Sequence, residues 1–329
     1  MPQLTIIIPY HRTFGSQHLE ETILSVLENR GDDSEIFVLT DGSYRDPYSL
    51  SGEEVTFFSL LKANSLVQCV NAGIEVARAP VTCVLLPGTL WESGSLAQIL
   101  EVFEDRSVAF AIPILADRNR QGRVFSTGGV CRPSGSISNY KPGRHIPNGS
   151  CLVPHQAAAF FRSSILQQIG GLLPQFCLQM AYADLGFLVE QLGLQAVELP
   201  TSVRFSGLPT QKVFASPFEQ AKQCELLYRL WRHIGNTRQN QNQHIQNILN
   251  ECWRTFPGLR MFRQLAGRLS GALTSELPVR AIHQRRMQAF SRDESQQILD
   301  PTEISFGLKI FDSTSPENVP SRGNNQKVA

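Results

Sequence analysis

Two short runs combine residue types that do chemistry with positions just past strand-like segments. Pro9-Tyr10-His11-Arg12 follows the β-branched run Leu-Thr-Ile-Ile-Ile (4–8), and Thr40-Asp41-Gly42-Ser43 follows Glu-Ile-Phe-Val-Leu (35–39). In an open parallel sheet, ligands bind off the carboxyl ends of the strands, where both runs stand. An Asp followed by Gly and Ser presents a carboxylate beside exposed backbone amides, a set that suits the base and sugar hydroxyls of a nucleoside. The same residues would equally make a plain Asp-Gly turn. Arg118, Arg120, Arg123 and the pair Arg144-His145 are cations that either meet an anion or are simply solvated.

The elements that must hold these residues alternate strand and helix. Strand-like segments at 4–8, 35–39, Val55–Leu61, Val81–Leu86 and Val108–Leu115 are separated by helical periodicity at 19–27, about 66–78 and Leu96–Phe103. That alternation predicts an α/β fold with a mostly parallel sheet. Residues 117–150 are rich in Gly, Pro, Ser and Arg and read as a long functional loop. Ala157–Gly170 reads as a strand then a helix, and 184–193 as a short helix. Beyond Pro217 the apolar spacing is wholly helical: Cys224, Leu227, Tyr228 and Trp231 share one face. Ile245, Ile248, Leu249, Cys252 and Phe256 share another, and Phe262, Leu265, Ala266, Leu269 and Leu273 a third. The expected organisation is an α/β domain over 1–216, a basic helical extension over 217–292 and a polar, loosely ordered tail over 293–329.

Composition narrows the class. A chain of 329 residues with 42% hydrophobic and 18% charged residues is neither wholly disordered nor a collagen or coiled-coil rod. The net charge of +1 excludes a generally basic nucleic-acid binder. It hides an asymmetry, because residues 220–292 carry twelve Lys/Arg against three Asp/Glu, the pattern of a surface for an anionic partner. Seven scattered cysteines without Cys-x-x-Cys spacing read as free thiols in a reducing compartment. There is no leader-like start and no stretch of eighteen apolar residues, so the expectation is a soluble, cytoplasmic protein.

The motifs, in order, resemble the family 2 glycosyltransferases, inverting enzymes of the GT-A fold, and particularly their rhamnosyltransferase-like branch. The resemblance runs from Leu4 to about Gly207. It is carried by Ile-Ile-Ile-Pro-Tyr-His-Arg (6–12), Leu-Glu-Glu-Thr-Ile-Leu-Ser-Val-Leu (19–27) and Glu-Ile-Phe-Val-Leu-Thr-Asp-Gly-Ser (35–43). Val-Asn-Ala-Gly-Ile-Glu-Val-Ala (70–77), Leu-Leu-Pro-Gly-Thr-Leu-Trp-Glu-Ser-Gly-Ser-Leu (85–96) and Gly-Arg-Val-Phe-Ser-Thr-Gly-Gly-Val (122–130) follow. Arg-Ser-Ser-Ile-Leu-Gln-Gln-Ile-Gly-Gly (162–171) and Ala-Asp-Leu-Gly-Phe (183–187) complete the set. The resemblance implies a GT-A sheet and a nucleotide site at Pro9, Tyr10, His11, Asp41, Gly42 and Ser43. It also implies an acceptor cleft with His155, Gln156, Tyr182 and Asp184 as candidates.

Three departures from the family pattern bear on activity. Where the family holds a divalent cation on Asp-x-Asp or Asn-Pro-Asp, this chain has Leu86-Pro87-Gly88, and the next acid, Glu92, is expected in the first turn of the following helix. Counting back from Asp184, the base positions hold Ala181 and Tyr182, and a family His falls at about Ser206. A tyrosine of ordinary pKa near about 10 is a poor base at neutral pH. Asp184 also reads locally as a helix N-cap. The expectation is therefore no metal cofactor, no assignable catalytic residue and little or no transfer. Three functions remain: a nucleotide-sugar transferase in glycan or polysaccharide assembly whose arginines replace the cation, a dead scaffold of the same fold, or a peripheral adaptor on anionic membrane or a lipid-linked glycan.

Overall fold

The structure, a computed structural model, describes residues 1–44, 52, 54–60, 65–116, 124–126, 128–140, 143, 145–207, 216–233, 237–256, 258–274 and 277–293, and the fold concerns those residues. In chain order the elements begin β1 (Leu4–Tyr10), α1 (Ser16–Asn29), β2 (Ser34–Thr40), β3 (Val55–Ser59), α2 (Leu66–Val76), β4 (Val81–Leu85), β5 (Leu90–Ser93), α3 (Leu96–Val102), β6 (Val108–Ile112) and β7 (Ile114–Ala116). They continue with β8 (Val124–Ser126), β9 (Gly129–Cys131), β10 (Ile137–Asn139), β11 (Cys151–Val153), β12 (Ala158–Arg162), α4 (Ser163–Gln168), α5 (Leu178–Gln191), β13 (Gln195–Glu198) and β14 (Arg204–Ser206). Helices α6 (Pro217–Trp231), α7 (Thr237–Thr255), α8 (Leu259–Leu273) and α9 (Leu277–Asp293) follow.

The central sheet has the order β13-β6-β12-β4-β1-β2-β3, and its pairings are parallel except for the two that β12 makes. All seven residues of β1 are buried, as a strand covered on both faces requires, and that is why its sequence is a continuous apolar run. Helix α1 buries Leu19, Ile23 and Val26 on one stripe, and the Ser65 hydroxyl caps α2 by accepting from the Gln68 amide at 3.3 Å. Two smaller sheets, β5-β14-β7-β8 and β10-β9-β11, stand beside the main one. The fold is thus the α/β, GT-A-like arrangement expected, with helices closing the described chain.

Several local expectations need correction. Val108–Leu115 is two strands, β6 and β7, which belong to different sheets and meet at Pro113, a residue with no N–H to continue a ladder. The region 117–150 contains the short strands β8 to β10. Glu92 lies exposed in β5 and not in a helix. Asp184 sits in the middle of α5, which starts six residues earlier at Leu178, so the N-cap reading fails. The seven cysteines are free thiols, five of them buried. The tail from residue 294 lies outside the described residues.

The C-terminal helices join this frame through polar contacts that are themselves buried. Arg286 of α9 donates to Asp184 Oδ2 at 2.7 Å and to the carbonyls of Ile169 and Gly171 at 3.2 and 3.1 Å. Trp231 Nε1 donates to the other oxygen of Asp184 at 3.0 Å, and its ring stacks on Phe187 at 5.4 Å. Helix α8 lies close on α6 because glycines face it. A Cβ on Gly267 would fall 2.2 Å from the Phe218 carbonyl oxygen, and one on Gly271 would fall 2.6 Å from that of Lys222. Among the described residues no helix is long and apolar enough to cross a membrane.

Candidate functional site

The parallel register of β1 and β2 sets Tyr10 opposite Thr40, so the two chemistry-bearing runs leave the sheet side by side. The backbone amide of Arg12 donates to Asp41 Oδ2 at 3.2 Å, and His11 Nε2 stands 3.7 Å from the same oxygen. Ser43 donates to Oδ1 through its amide at 3.1 Å and through its hydroxyl. Burial pushes the Asp41 carboxyl up, but the hydroxyl and amide of Ser43, the Arg12 amide and the nearby His11 outweigh it. The carboxyl is held below its ordinary value, so it is ionised at neutral pH. Pro9 is buried within β1, while Gly42 and Ser43 are exposed. Tyr10 meets Tyr44 edge-on at 5.5 Å, and Tyr44 stacks on Phe57 at 5.7 Å, giving the site an aromatic flank. The nearby thiol of Cys69 is pushed up to about 12, first by burial and then by the charge of Asp41.

The turn where a cation would be expected stands across from α1. The Gly88 amide donates to the His18 carbonyl at 3.1 Å and to the Thr22 hydroxyl at 2.9 Å. Leu86 is fully buried. Around this turn the hydroxyls of Thr89 and Ser206 and the Nδ1 of His18 are buried without a hydrogen-bond partner. Hydroxyl and imidazole groups bring no negative charge to the turn. A hard divalent ion takes six or more oxygen ligands, and proteins hold it through at least one or two carboxylates. Among the described residues, the turn itself, Leu86 to Thr89, supplies no carboxylate to such an ion. Among the described residues no group of three or more His, Cys, Asp or Glu comes together anywhere.

The four residues expected to line an acceptor cleft divide into two pairs. His155 and Gln156, between β11 and β12, are half-buried. His155 Nδ1 accepts from the Ala157 amide at 3.1 Å, and burial pushes its imidazole down to about 4. Tyr182 and Asp184 are fully buried in α5. The Tyr182 hydroxyl has no hydrogen-bond partner, and burial together with the neighbouring Cys83 pushes it well above its ordinary value. Asp184 spends both carboxylate oxygens on Trp231 and Arg286. Neither side chain reaches solvent, so neither can act as a base on an acceptor in this structure. Sequence reading missed Arg286 as the partner of Asp184, and no local signal joins residues 102 positions apart. Arg118, Arg120, Arg123 and Arg144 lie outside the described residues, and His145 is exposed. An open depression lined by Met1, Pro2, Asp33 and Arg78 lies at the amino ends of β1 and β2, the opposite end of the sheet.

The depressed imidazole has a measurable consequence. Between about pH 6.5 and 4 the unfolded chain takes up a proton at His155 that the folded chain refuses. Stability rises with pH wherever the unfolded state binds more protons, so this residue's contribution falls as pH drops through that window and is constant above it. His155→Gln is therefore expected to reduce the acid-induced loss by about 1–3 kcal/mol at pH 4 relative to pH 7. Urea unfolding of both chains at the two pH values measures it, and equal losses would remove His155 from the account.

Comparison with known proteins bears on the family and the fold. Residues 5–170, half of the chain, match the family described as "Glycosyl transferase family 2". Among solved structures the chain is similar to GalNAc-T7 with UDP, GalNAc and Mn2+, at 15% identity and a TM-score of 0.57, covering 90% of this chain and 57% of that one. It is similar to the mannosyltransferase PcManGT from Pyrobaculum calidifontis in complex with GDP-Man and Mn2+, at 13% identity and a TM-score of 0.51, covering 89% and 87%. It is also similar to S. aureus TarS, at 10% identity and a TM-score of 0.53, covering 94% and 98%. At these identities the likeness is one of fold. No curated protein matches the chain.

Proposed function

We propose that this chain, which belongs to glycosyl transferase family 2, binds a nucleotide sugar at the carboxyl ends of β1 and β2 without a divalent cation and with little or no transfer. The observation that carries the reading is the convergence on Asp41. Four groups from two strand ends, the Arg12 and Ser43 amides, the Ser43 hydroxyl and His11, hold its carboxylate charged and in place beside Tyr10. An ionised carboxylate so oriented accepts hydrogen bonds from ribose hydroxyls or a base N–H. Two of the structures of similar fold hold a nucleotide or nucleotide sugar, which supports the ligand class. Both also hold Mn2+, and there this chain departs, because Leu86 and Gly88 supply no oxygen ligand from a side chain.

The departure decides the chemistry. When a diphosphate leaves, negative charge grows on its outer oxygens, and something positive must offset it. The acceptor hydroxyl must also lose a proton. The family's base position is occupied by Tyr182, whose hydroxyl is shut in the core and hard to ionise. With neither element at hand, the site is suited to holding a nucleotide sugar within a glycan-assembling system, where the acceptor would be a glycan or a lipid-linked sugar.

Calorimetric titration of the full chain with UDP-, GDP- and dTDP-sugars, with and without Mn2+ or Mg2+, tests this. Binding of one donor class is expected, with affinity unchanged by the metal. Asp41→Ala is expected to weaken it by about 1–3 kcal/mol, the cost of losing hydrogen bonds to a charged group. A tenfold gain with metal or ordinary turnover in a transfer assay would show that the cation and base positions are misassigned. An unchanged affinity in Asp41→Ala would move the site elsewhere.

A further inference from the structure

Helices α7 and α8 are built inside out. On α8 the face turned to α6 carries Gly267, Arg268 and Gly271, all buried, while Leu259, Phe262, Leu269 and Leu273 point the other way and are 62–78% exposed. On α7 the buried positions are Asn240 and His244, while Ile245, Leu249 and Trp253 recur every fourth residue on the outer side. Trp253 is 83% exposed, and Phe256 at the end of the helix is 67% exposed. Both inner faces grip one side chain: His244 Nε2 lies 2.9 Å and Arg268 Nη1 3.6 Å from the same carboxylate oxygen of Glu225 on α6. The apolar faces, roughly half a turn from these contacts on each helix, are therefore both directed away from the body of the protein.

A monomer in water gains nothing from such a surface, and scattered apolar exposure does not line up along two consecutive helices. What flanks the apolar rows chooses the partner. Arg238, Arg254, Arg260 and Arg263 are exposed on the same two helices. The one acid between residues 237 and 273, Glu251, is tied to Arg268 at 3.0 Å. A second copy of the chain would bring the same positive charge to the same face. A bilayer interface with anionic headgroups supplies both an apolar layer for Leu, Phe and Trp and negative charge for the arginines. We infer that the α7–α8 hairpin is a docking surface that lays its outer face into the interfacial layer of an anionic membrane. This inference stands independently of the nucleotide site, which lies on the central sheet.

The test is sedimentation of the full chain with vesicles of phosphatidylcholine alone or of equal parts phosphatidylcholine and phosphatidylglycerol. Trp91 and Trp231 are buried, so a vesicle-induced shift in tryptophan fluorescence reports Trp253. Expected are sedimentation with the anionic vesicles, a blue shift, and a loss of binding at least about tenfold in the doubly substituted Phe262→Glu/Leu269→Glu chain. Arg263→Glu should weaken binding by about fivefold or more at low salt, and less at high salt. All three substituted positions are exposed, so circular dichroism and nucleotide-sugar titration of the variants should match the parent. Failure to sediment with anionic vesicles overturns the proposal, as does binding that the double substitution leaves unchanged. A vesicle-free dimer abolished by the same substitutions would overturn it too, and would assign the face to a second copy.

Discussion

Arg286→Ala should destabilise the full chain by about 3–5 kcal/mol, the usual result of removing one member of a buried ion pair. The guanidinium is 4% exposed and its partner Asp184 is fully buried. Taking away the cation leaves a carboxylate in the core with only Trp231 Nε1 to satisfy it, and strips the carbonyls of Ile169 and Gly171 of a donor. Neutralising the carboxylate should remove part of that cost. In an Asp184→Asn background the same Arg286→Ala change is expected to lose at least about 1 kcal/mol less, because the stranded charge is gone while the side-chain oxygen still accepts from Trp231. Urea unfolding of the four chains gives the coupling. A loss below about 1 kcal/mol for Arg286→Ala would mean that α9 is dispensable to the body it packs on.

Gly207→Ala is expected to cost about 2–5 kcal/mol, combining backbone strain with overpacking. Gly207 has φ +94°, and a Cβ there would sit 2.1 Å from the carbonyl oxygen of Gly88. That neighbour is backbone and cannot swing aside, so β14 or the 86–89 turn must move. Gly193→Ala separates the two causes. Gly193 has φ +69°, but a Cβ there meets nothing within 4 Å. It should show the strain alone, about 1 kcal/mol. Thermal or urea unfolding of both variants checks the difference, and equal costs would show that the approach to Gly88 carries no penalty.

Those two sites also mark where sequence reading stopped. The main sheet was legible because β1, β2, β4 and β6 are covered on both faces and must be continuous apolar runs. Pro113 is visible in the sequence, but that the chain changes sheets there depends on which strands accept β7. At Asp184 the local pattern of a small residue, an acid and an apolar run fits a cap equally well. Only the position of α9 makes it a buried anion. Helical spacing identified the apolar rows of α7 and α8, since period reports that a face exists. Which face turns inward was decided by Gly267 and Gly271, whose lack of side chain lets α8 sit against the carbonyls of α6. That the runs bearing His11 and Asp41 leave the sheet at strand ends followed from the strand–helix alternation, while the contacts of His11 and Arg12 with Asp41 came from the structure. The identity of Tyr182 as a core residue did not, because a tyrosine suits a cleft wall as well as an interior.

The tie between Asp184 and Arg286 also constrains the order of events when the chain is made. The partners are 102 residues apart. At roughly 5–20 residues per second, the ribosome delivers the guanidinium roughly 5–20 s after the carboxylate. Throughout that interval the amino-terminal portion holds an acid destined for its core with no cation to meet it. Helix α5 cannot have both carboxylate oxygens of Asp184 engaged until α9 emerges. A stop codon between residues 207 and 286 would leave the chain in that waiting condition permanently, with strands β1 to β14 complete and the carboxylate of Asp184 without its cation.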